Sequence, residues 1–343
     1  DKNLRYKEVE ICRQISVFKD LAALIKLVKL FAINRFDIVH STTPKAGLLS
    51  AIAALVAGVP VRLHTWTGQP WVTLSETKKY ITMAADVLIG LLSTHCYADS
   101  PSQREFLIKK RIVSPKKISV INKGSISGID LQRFHPGKMT YSEKAALKKK
   151  HKLPEDGTVI TFIGRINKDK GIVELISAFN AMIDSGYEAD LLLVGPMDQD
   201  SEGHDLEFHT EFKCLIDRPR IHYIGHQDKP ENYLEISDLF CLPSYREGFG
   251  TTVIEAAAMG VPTLGTKING LVDAVDDGKT GLLVEVKDAS ALAEGLRILL
   301  DNPRGMKQMG WNARQRCIKL FDRELINKLV RKEYITRIDQ SMN

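Results

Sequence analysis

Cysteine is scarce in this chain, and its cysteines follow no metal-binding or disulfide pattern. No two of them form a C-x-x-C pair, and the five stand far apart: Cys12, Cys96, Cys214, Cys241 and Cys317. This spacing argues against a disulfide framework and against a zinc ribbon. It is typical of a protein kept in a reducing compartment, and we therefore expect a cytoplasmic location.

Long apolar runs are also missing. The longest apolar stretch, residues 48–61, is interrupted by Ser50 and Gly58 and is too short to span a bilayer. The 343 residues are 44% hydrophobic and 26% charged, which excludes collagen-like, disordered and coiled-coil classes. At roughly 150 residues per domain, the length predicts two domains.

Common nucleotide-binding signatures are absent as well. Neither a G-x-G-x-x-G fingerprint nor a P-loop opens a helix in this sequence, which argues against nicotinamide-dependent enzymes and ATPases. The sequence contains no RNA-binding or helix-turn-helix motif, so we expect no nucleic-acid partner.

Positive charge is concentrated in the first half of the chain. Residues 1–140 hold 21 Lys and Arg against 10 Asp and Glu, a charge of +11, whereas the rest hold 27 against 32, a charge of −5. A basic half favours an anionic partner such as a phosphate-bearing ligand or a membrane surface. A merely basic surface explains it equally well.

Short β-branched runs alternate with helical patterns, which is typical of βαβ units and parallel sheets. Ten runs have strand character: residues 36–41, 59–65, 95–98, 118–122, 159–164, 190–195, 221–225, 239–242, 262–266 and 281–284. The last six suffice for a doubly wound sheet, whereas the first four are fewer than such a sheet usually has. We therefore predict an α/β fold with two Rossmann-like domains.

The domain boundary is predicted from a turn-rich segment. Pro136 and Gly137 precede a basic helical pattern at residues 144–152, and such segments commonly separate domains. The predicted domains are residues 1–138 and 139–320, and residues 321–343 are predicted to form a C-terminal helix.

The most informative stretch is residues 242–260, where a buried strand ends and a helix begins near Thr251. Gly248 and Gly250 lie just before that helix, where they would let the backbone approach an anion at the helix N-terminus. Glu247 and Glu255 stand eight positions apart and could grip the hydroxyls of a sugar and a ribose. A glycine-rich loop with two solvated glutamates is nearly as plausible from spacing alone.

A second motif follows the first strand of the second half. Gly164 is followed by Arg165 and Lys170, at the carboxyl end of a strand where open α/β sheets bind ligands. These two cations could converge on phosphate oxygens. The alternative interpretation is a basic surface turn.

Together, these two motifs resemble the donor site of the retaining glycosyltransferases of family 4. Their E-x7-E signature is matched from Glu247 to Glu255. Five other sequence segments match the family's motifs in order and spacing: residues 162–166, 223–225, 237–244, 260–263 and 277–284. A weaker resemblance extends to residues 37–48 and 128–136. Residues 122–130 look most like bacterial enzymes that build capsular or O-antigen repeat units on a polyprenyl diphosphate.

This resemblance implies a GT-B architecture, with two Rossmann-like domains facing a cleft and the final helix crossing back to the first domain. The donor would be a nucleotide sugar, most often a UDP-sugar, used without metal or cofactor. The acceptor would be a glycan or a lipid-linked sugar, with peripheral contact of the basic first domain at the inner face of the membrane.

The resemblance also implies roles for individual residues. Beside Gly164, Arg165 and Lys170 would neutralise the diphosphate as it leaves, assisted by backbone amides at the start of the helix: Phe249, Gly250 and Thr251. Glu247 would hold the transferred sugar and Glu255 the ribose. Retention would proceed by front-face attack, with the leaving phosphate helping to deprotonate the acceptor.

The first half departs from the family pattern at two points. Thr67 stands where the family usually has a histidine near the reacting sugar, so His64 and His40 are only weak candidates for that role. The first residues of the chain also resemble the family's third or fourth secondary-structure element. We therefore expect that roughly 50 to 70 residues are missing at the start.

Several other features have ordinary interpretations. Asp198 and Asp200 spell D-x-D, a metal-binding pattern in another glycosyltransferase fold, but a solvated acidic loop is favoured. The helical stretch at residues 21–31 carries Lys26 and Lys29 and could dock on anionic lipid, although a core-packed helix is favoured. A nucleotide-sugar epimerase and a non-catalytic polyanion- or membrane-binding module remain the alternative functions.

Overall fold

The computed structural model describes residues 5–12, 16–198 and 206–342. The chain divides into two compact units, one of residues 1–124 together with 328–343 and one of residues 125–327. Within the described residues, no helix is both long and apolar enough to cross a bilayer.

Among its described residues, the first unit contains four strands: β1 Ile38–Ser41, β2 Val61–Trp66, β3 His95–Ala98 and β4 Ile118–Ser119. Its helices are α1 Val17–Asn34, α2 Pro44–Val56, α3 Glu76–Leu92 and α4 Pro101–Lys109. The strands form one parallel sheet in the order β1-β2-β3-β4. Parallel pairing is possible because a helix connects each of the first three strands to the next.

The part of the second unit that the structure describes contains six strands: β5 Val159–Ile163, β6 Asp190–Val194, β7 Ile221–Tyr223, β8 Leu239–Leu242, β9 Thr263–Thr266 and β10 Gly281–Val284. Their order is β10-β9-β8-β5-β6-β7, all parallel. This is the doubly wound order, which reverses between β5 and β8. All ten predicted strands are present, and the α/β fold class is confirmed.

Helices cover both faces of the second sheet: α5 Tyr141–Lys150, α6 Ile172–Asp184, α7 Leu206–Ile216, α8 Pro230–Leu234, α9 Thr251–Ala258, α10 Leu271–Ala274, α11 Ala289–Leu300 and α12 Pro303–Phe321. The central strands β5, β6 and β8 are buried along their whole length, as expected for strands packed on both faces. The last helix, α13 Arg323–Met342, begins in the second unit, and its residues from Lys328 onward are grouped with the first.

The division between the units falls before the boundary expected from the sequence. The first unit ends at residue 124, whereas the sequence indicated residue 138. Residues 125–138 group with the second unit because Ile129 and Phe134 are buried in its core. The Ile129 amide also donates to the Phe321 carbonyl at 2.7 Å. The Pro-Gly turn is therefore a loop of the second unit and not a linker.

Candidate active site

Two loops meet where the strand order of the second sheet reverses. Loop A, residues 164–171, follows β5, and loop B, residues 243–250, follows β8. Ligands of open α/β sheets bind at this switch point. The loops lie so close that a Cβ at Gly171, which has φ +67°, would stand 2.1 Å from the carbonyl oxygen of Pro243. Six predicted site residues lie in these loops: Gly164, Arg165, Lys170, Glu247, Phe249 and Gly250.

Asn167 shapes loop A. Its side-chain oxygen accepts a hydrogen bond from the Lys170 amide at 3.2 Å and thereby caps the 3₁₀ turn Lys168–Lys170. Its amide nitrogen donates to Asp198 Oδ2 at 2.9 Å, and the same oxygen forms an ion pair with Arg165 at 3.0 Å. One asparagine thus positions the backbone at Lys170 and the carboxylate that holds Arg165, whose side chain is still 48% exposed.

Lys170 joins the two loops by an ion pair with Glu247. Both side chains are largely buried, and the Ser244 hydroxyl donates to the same Glu247 oxygen at 2.8 Å. Because the pair is partly shielded from water, it is stronger than an exposed salt bridge. Lys170 and Glu247, predicted from separate motifs, are therefore brought into direct contact.

A second ion pair also joins loop A to loop B. Arg246 binds Asp169 at 2.8 Å, and the amide of Tyr245 donates to the Asp169 carbonyl at 2.8 Å. The Tyr245 hydroxyl donates to Glu174 on α6. These contacts fix loop B against loop A and hold Glu247 in register with Lys170.

Helix α9 starts at the end of loop B. Its N-cap is Gly250, with φ +91°, and a Cβ there would stand 2.7 Å from a methyl carbon of Leu271. Only glycine fits this position without strain. The Phe249 ring is buried against Phe321 with ring centroids 5.1 Å apart, so Phe249 can serve a ligand only through its backbone. Thr251 is exposed at the first turn, where free amides favour an anion.

Glu255 lies one turn further into α9 in a different environment. Burial raises the pKa of this carboxyl to about 7; Arg133 opposes the shift, and Glu231 adds to it. Arg133 itself binds Glu231, with nitrogen–oxygen distances of 2.8 and 3.0 Å. The site therefore contains a carboxylate poised to change charge near neutral pH, a feature of functional sites.

The three residues considered in the first unit have distinct positions. Both ring nitrogens of His40 are engaged, one by Tyr334 on α13 and one by Thr65 at 2.8 Å, and burial lowers its pKa to about 4. His64 is buried against Trp66, its Nδ1 is 2.9 Å from the Ser41 hydroxyl, and burial lowers its pKa to about 3. Both rings are thus neutral parts of the packing, whereas Thr67 is exposed at the end of β2.

The D-x-D sequence acquires a meaning other than metal binding. Asp198 is the partner of Arg165 and Asn167, while Asp200 lies outside the described residues. Among residues 5–12, 16–198 and 206–342, no three His, Cys, Asp or Glu side chains are grouped to hold a metal ion. Use of the donor without metal stays a prediction.

Sequence reasoning missed two residues of the site, Asn167 and Ser244, and it missed the ion-pairing role of Asp198. The spacing of Asn167 three residues before Lys170 is a capping signal that could have been found. The contact of Ser244 with Glu247 depends on the fold of loop B and has no comparable signal.

The family comparison identifies the second unit. Residues 143–316 match the model of the family described as glycosyl transferases group 1. This segment includes loops A and B and α9.

Similar proteins extend the match over most of the chain. A Staphylococcus aureus protein named capsular polysaccharide biosynthesis glycosyltransferase CapM is 32% identical over 329 residues, which cover 96% of this chain and 84% of the relative. An Escherichia coli UDP-Gal:alpha-D-GlcNAc-diphosphoundecaprenol alpha-1,3-galactosyltransferase is 30% identical over 314 residues, 91% of this chain and 78% of the relative. Both are glycosyltransferases by name.

A solved structure with a similar fold is Anabaena Alr3699/HepE in complex with UDP and glucose. The TM-score is 0.79 at 19% identity, covering 94% of this chain and 84% of that one. The two parallel sheets therefore have the GT-B fold that the resemblance implied.

Proposed function

This chain belongs to the group 1 glycosyltransferases, and from that premise we propose that it transfers a sugar from a UDP-sugar to a polyprenyl-diphosphate-linked or glycan acceptor in surface polysaccharide synthesis. The names of the capsular and diphosphoundecaprenol relatives support this acceptor class. The reaction would take place on the cytoplasmic side of the membrane.

The observation that carries the proposal is the pair of cations at the switch point. Arg165 and Lys170 are each held by a carboxylate, Asp198 and Glu247 respectively. A diphosphate would exchange with these carboxylates as the partner of the two cations. As the sugar leaves, charge builds on the β-phosphate, and fixed cations stabilise it in the transition state.

The remaining residues would bind the rest of the donor. Released from Lys170, Glu247 would accept hydrogen bonds from hydroxyls of the transferred sugar, with Ser244 keeping its orientation. The ionised carboxylate of Glu255 would accept hydrogen bonds from the hydroxyls of the ribose. Gly164 and the amides of Phe249, Gly250 and Thr251 would line the diphosphate without side-chain obstruction.

We propose that the anomeric configuration is retained. The nucleophilic acceptor hydroxyl would approach the face from which the UDP departs and lose its proton to the leaving phosphate. No protein base is then required, which agrees with the engaged ring nitrogens of His40.

Calorimetric titration with UDP tests the donor site. Each charge-assisted hydrogen bond contributes about 1.5–3 kcal/mol, so Arg165→Ala with Lys170→Ala should weaken UDP binding by about 100-fold or more. Lys168→Ala, a matched exposed cation in the same turn, should bind as the unmodified protein does. Unchanged affinity in the double variant would overturn the donor-site assignment.

Transfer itself is tested by incubating UDP-sugars with a membrane lipid fraction. We expect sugar to enter the lipid phase. Free sugar or an epimer as the sole product with every donor would count against transfer and favour hydrolysis or epimerisation.

A further inference from the structure

Helix α3 carries an apolar stripe that is exposed to solvent. Ile81, Leu88 and Leu91 are 58%, 38% and 68% exposed, and Ala84 between them is also exposed. Their spacing of three or four residues puts all four on one helix face, over about 15 Å of its length. The opposite face packs inward through residues such as Ile89.

A basic rim adjoins this stripe. Five basic residues lie between the last residue of α4 and the start of β4, and all of them except Lys117 are exposed: Lys109, Lys110, Arg111, Lys116 and Lys117. The sequence has no acidic residue between Glu105 and Asp130. The rim segment itself therefore carries only positive charge.

Hydrogen bonds hold the rim beside the apolar stripe. The Lys117 ammonium donates to the carbonyl oxygens of Gly90 and Leu91 at the end of α3, both at 3.0 Å. An open groove of about 380 Å³ lies between the two segments, with walls that include Leu91, Arg111 and Pro115. Stripe and rim thus form one continuous surface of the first unit.

We infer that this surface, the α3 stripe with the basic rim at residues 109–117, docks on the headgroup layer of an anionic lipid bilayer. An apolar helix face bordered by Lys and Arg suits that interface, because the apolar side chains enter the acyl boundary while the cations meet anionic headgroups. The inference deepens the proposed function, since it supplies the contact with a lipid-linked acceptor.

Other occupants fit the same surface less well. Two copies packed stripe to stripe about a two-fold axis would bring two positive rims together, which like-charge repulsion opposes. A soluble polyanion would pair with the rim but would leave the apolar stripe in water. A bilayer with anionic headgroups is complementary to both parts.

Helix α1 also exposes apolar side chains, with Phe18 at 87% and Leu21 at 53%. Its charged surroundings are mixed, however. Lys19, Lys26 and Lys29 are exposed on the helix, but Asp20 lies there too, in an ion pair with Lys45, and the exposed Glu8 and Glu10 precede the helix. Charges of both signs therefore surround the α1 surface, whereas the rim at residues 109–117 contains cations alone, and α1 provides a comparison surface.

Co-sedimentation with vesicles tests the inference on the whole chain. We expect binding to phosphatidylglycerol–phosphatidylethanolamine vesicles, weakened by salt, and little binding to phosphatidylcholine. Leu88→Gln with Leu91→Gln should weaken binding about tenfold or more. Lys109→Gln with Lys116→Gln should weaken it about twentyfold, and Phe18→Gln with Leu21→Gln on α1 should leave it unchanged.

Four outcomes would overturn the inference. They are unweakened binding by the α3 variant, equal binding to phosphatidylcholine, loss of binding in the α1 variant alone, and a lipid-free dimer that the α3 variant abolishes. UDP titration of the same variants separates this test from the proposed function, because both α3-surface variants should keep the affinity of the unmodified protein. Failure of every form to bind UDP would count against the donor site alone.

Discussion

Replacing Glu255 with Gln should make the protein more resistant to unfolding above neutral pH and change little in acid. Burial on α9 raises the pKa of the Glu255 carboxyl from 4.5 to about 7, because the half-buried site penalises the charged form. Glutamine has nearly the same shape and stays neutral. The substitution therefore removes the charge penalty without opening a cavity.

The size and sign of the effect follow from the two pKa values. The folded protein binds the Glu255 proton more tightly than the unfolded chain does, so the stabilising contribution is complete below pH 4.5 and is lost as the pH rises through 7. One pKa unit corresponds to about 1.4 kcal/mol. The difference in unfolding free energy between the variant and the unmodified protein should thus grow by up to about 3 kcal/mol over this interval.

Urea unfolding at pH 5, 6, 7 and 8 measures this difference. The matched control is Glu231→Gln, which removes a like charge near Glu255 and takes from Arg133 its ion-pair partner. In this control the pKa of Glu255 in the folded protein is lower, so the loss of stability that begins near pH 4.5 should be smaller and should end at a lower pH. A difference between Glu255→Gln and the unmodified protein that stays constant from pH 5 to pH 8 would refute the reasoning.

Three further predictions concern the same unit. UDP affinity should rise between pH 6 and pH 8 as Glu255 ionises to accept ribose hydroxyls, and calorimetry should find no such rise in Glu255→Gln; a rise in both would assign it to another group. Asn167→Ala should weaken UDP binding about fivefold, since a capping bond worth about 1 kcal/mol is lost, whereas Asn167→Ser, whose hydroxyl can cap the turn without adding a charge beside Asp198, should lose less. Gly250→Ala should lower the unfolding free energy by about 2 kcal/mol or more, because strain at positive φ adds to a clash with Leu271. Gly260→Ala, with φ +77° and open space around its Cβ, should cost only about 1 kcal/mol, and equal losses would contradict the role of the clash.

Local patterns were sufficient for most of the fold. Every strand was predicted from a short β-branched or apolar run. In central strands such as residues 159–163 and 239–242, burial on both faces requires a continuous hydrophobic sequence. The predicted boundary at residue 138 differs from the observed division after residue 124, because no local pattern indicates that Ile129 and Phe134 belong to the core of the second unit. Their burial depends on residues far along the chain.

Local sequence patterns also predicted the candidate site only in part. Arg165, Lys170 and Glu247 could be selected from glycine-rich turns at strand ends, because chain geometry requires those turns wherever a backbone approaches a ligand. The apparent metal motif at Asp198 could not be interpreted locally, since its bond to Arg165 spans two separate strand ends. Its neighbours, and not its spacing, decide what this carboxylate does.

By itself the sequence determined the order of strands and helices, the parallel α/β class and the family of the chain, because these depend on periodicity and motifs within short segments. Only the tertiary structure decided which charges meet. It brought Lys170 to Glu247, buried Glu255 beside Arg133 and Glu231, and left the α3 stripe exposed next to a basic rim. Burial and charge pairing depend on the distances between segments that only folding brings together, and those distances set both the pKa values and the surfaces available to a partner.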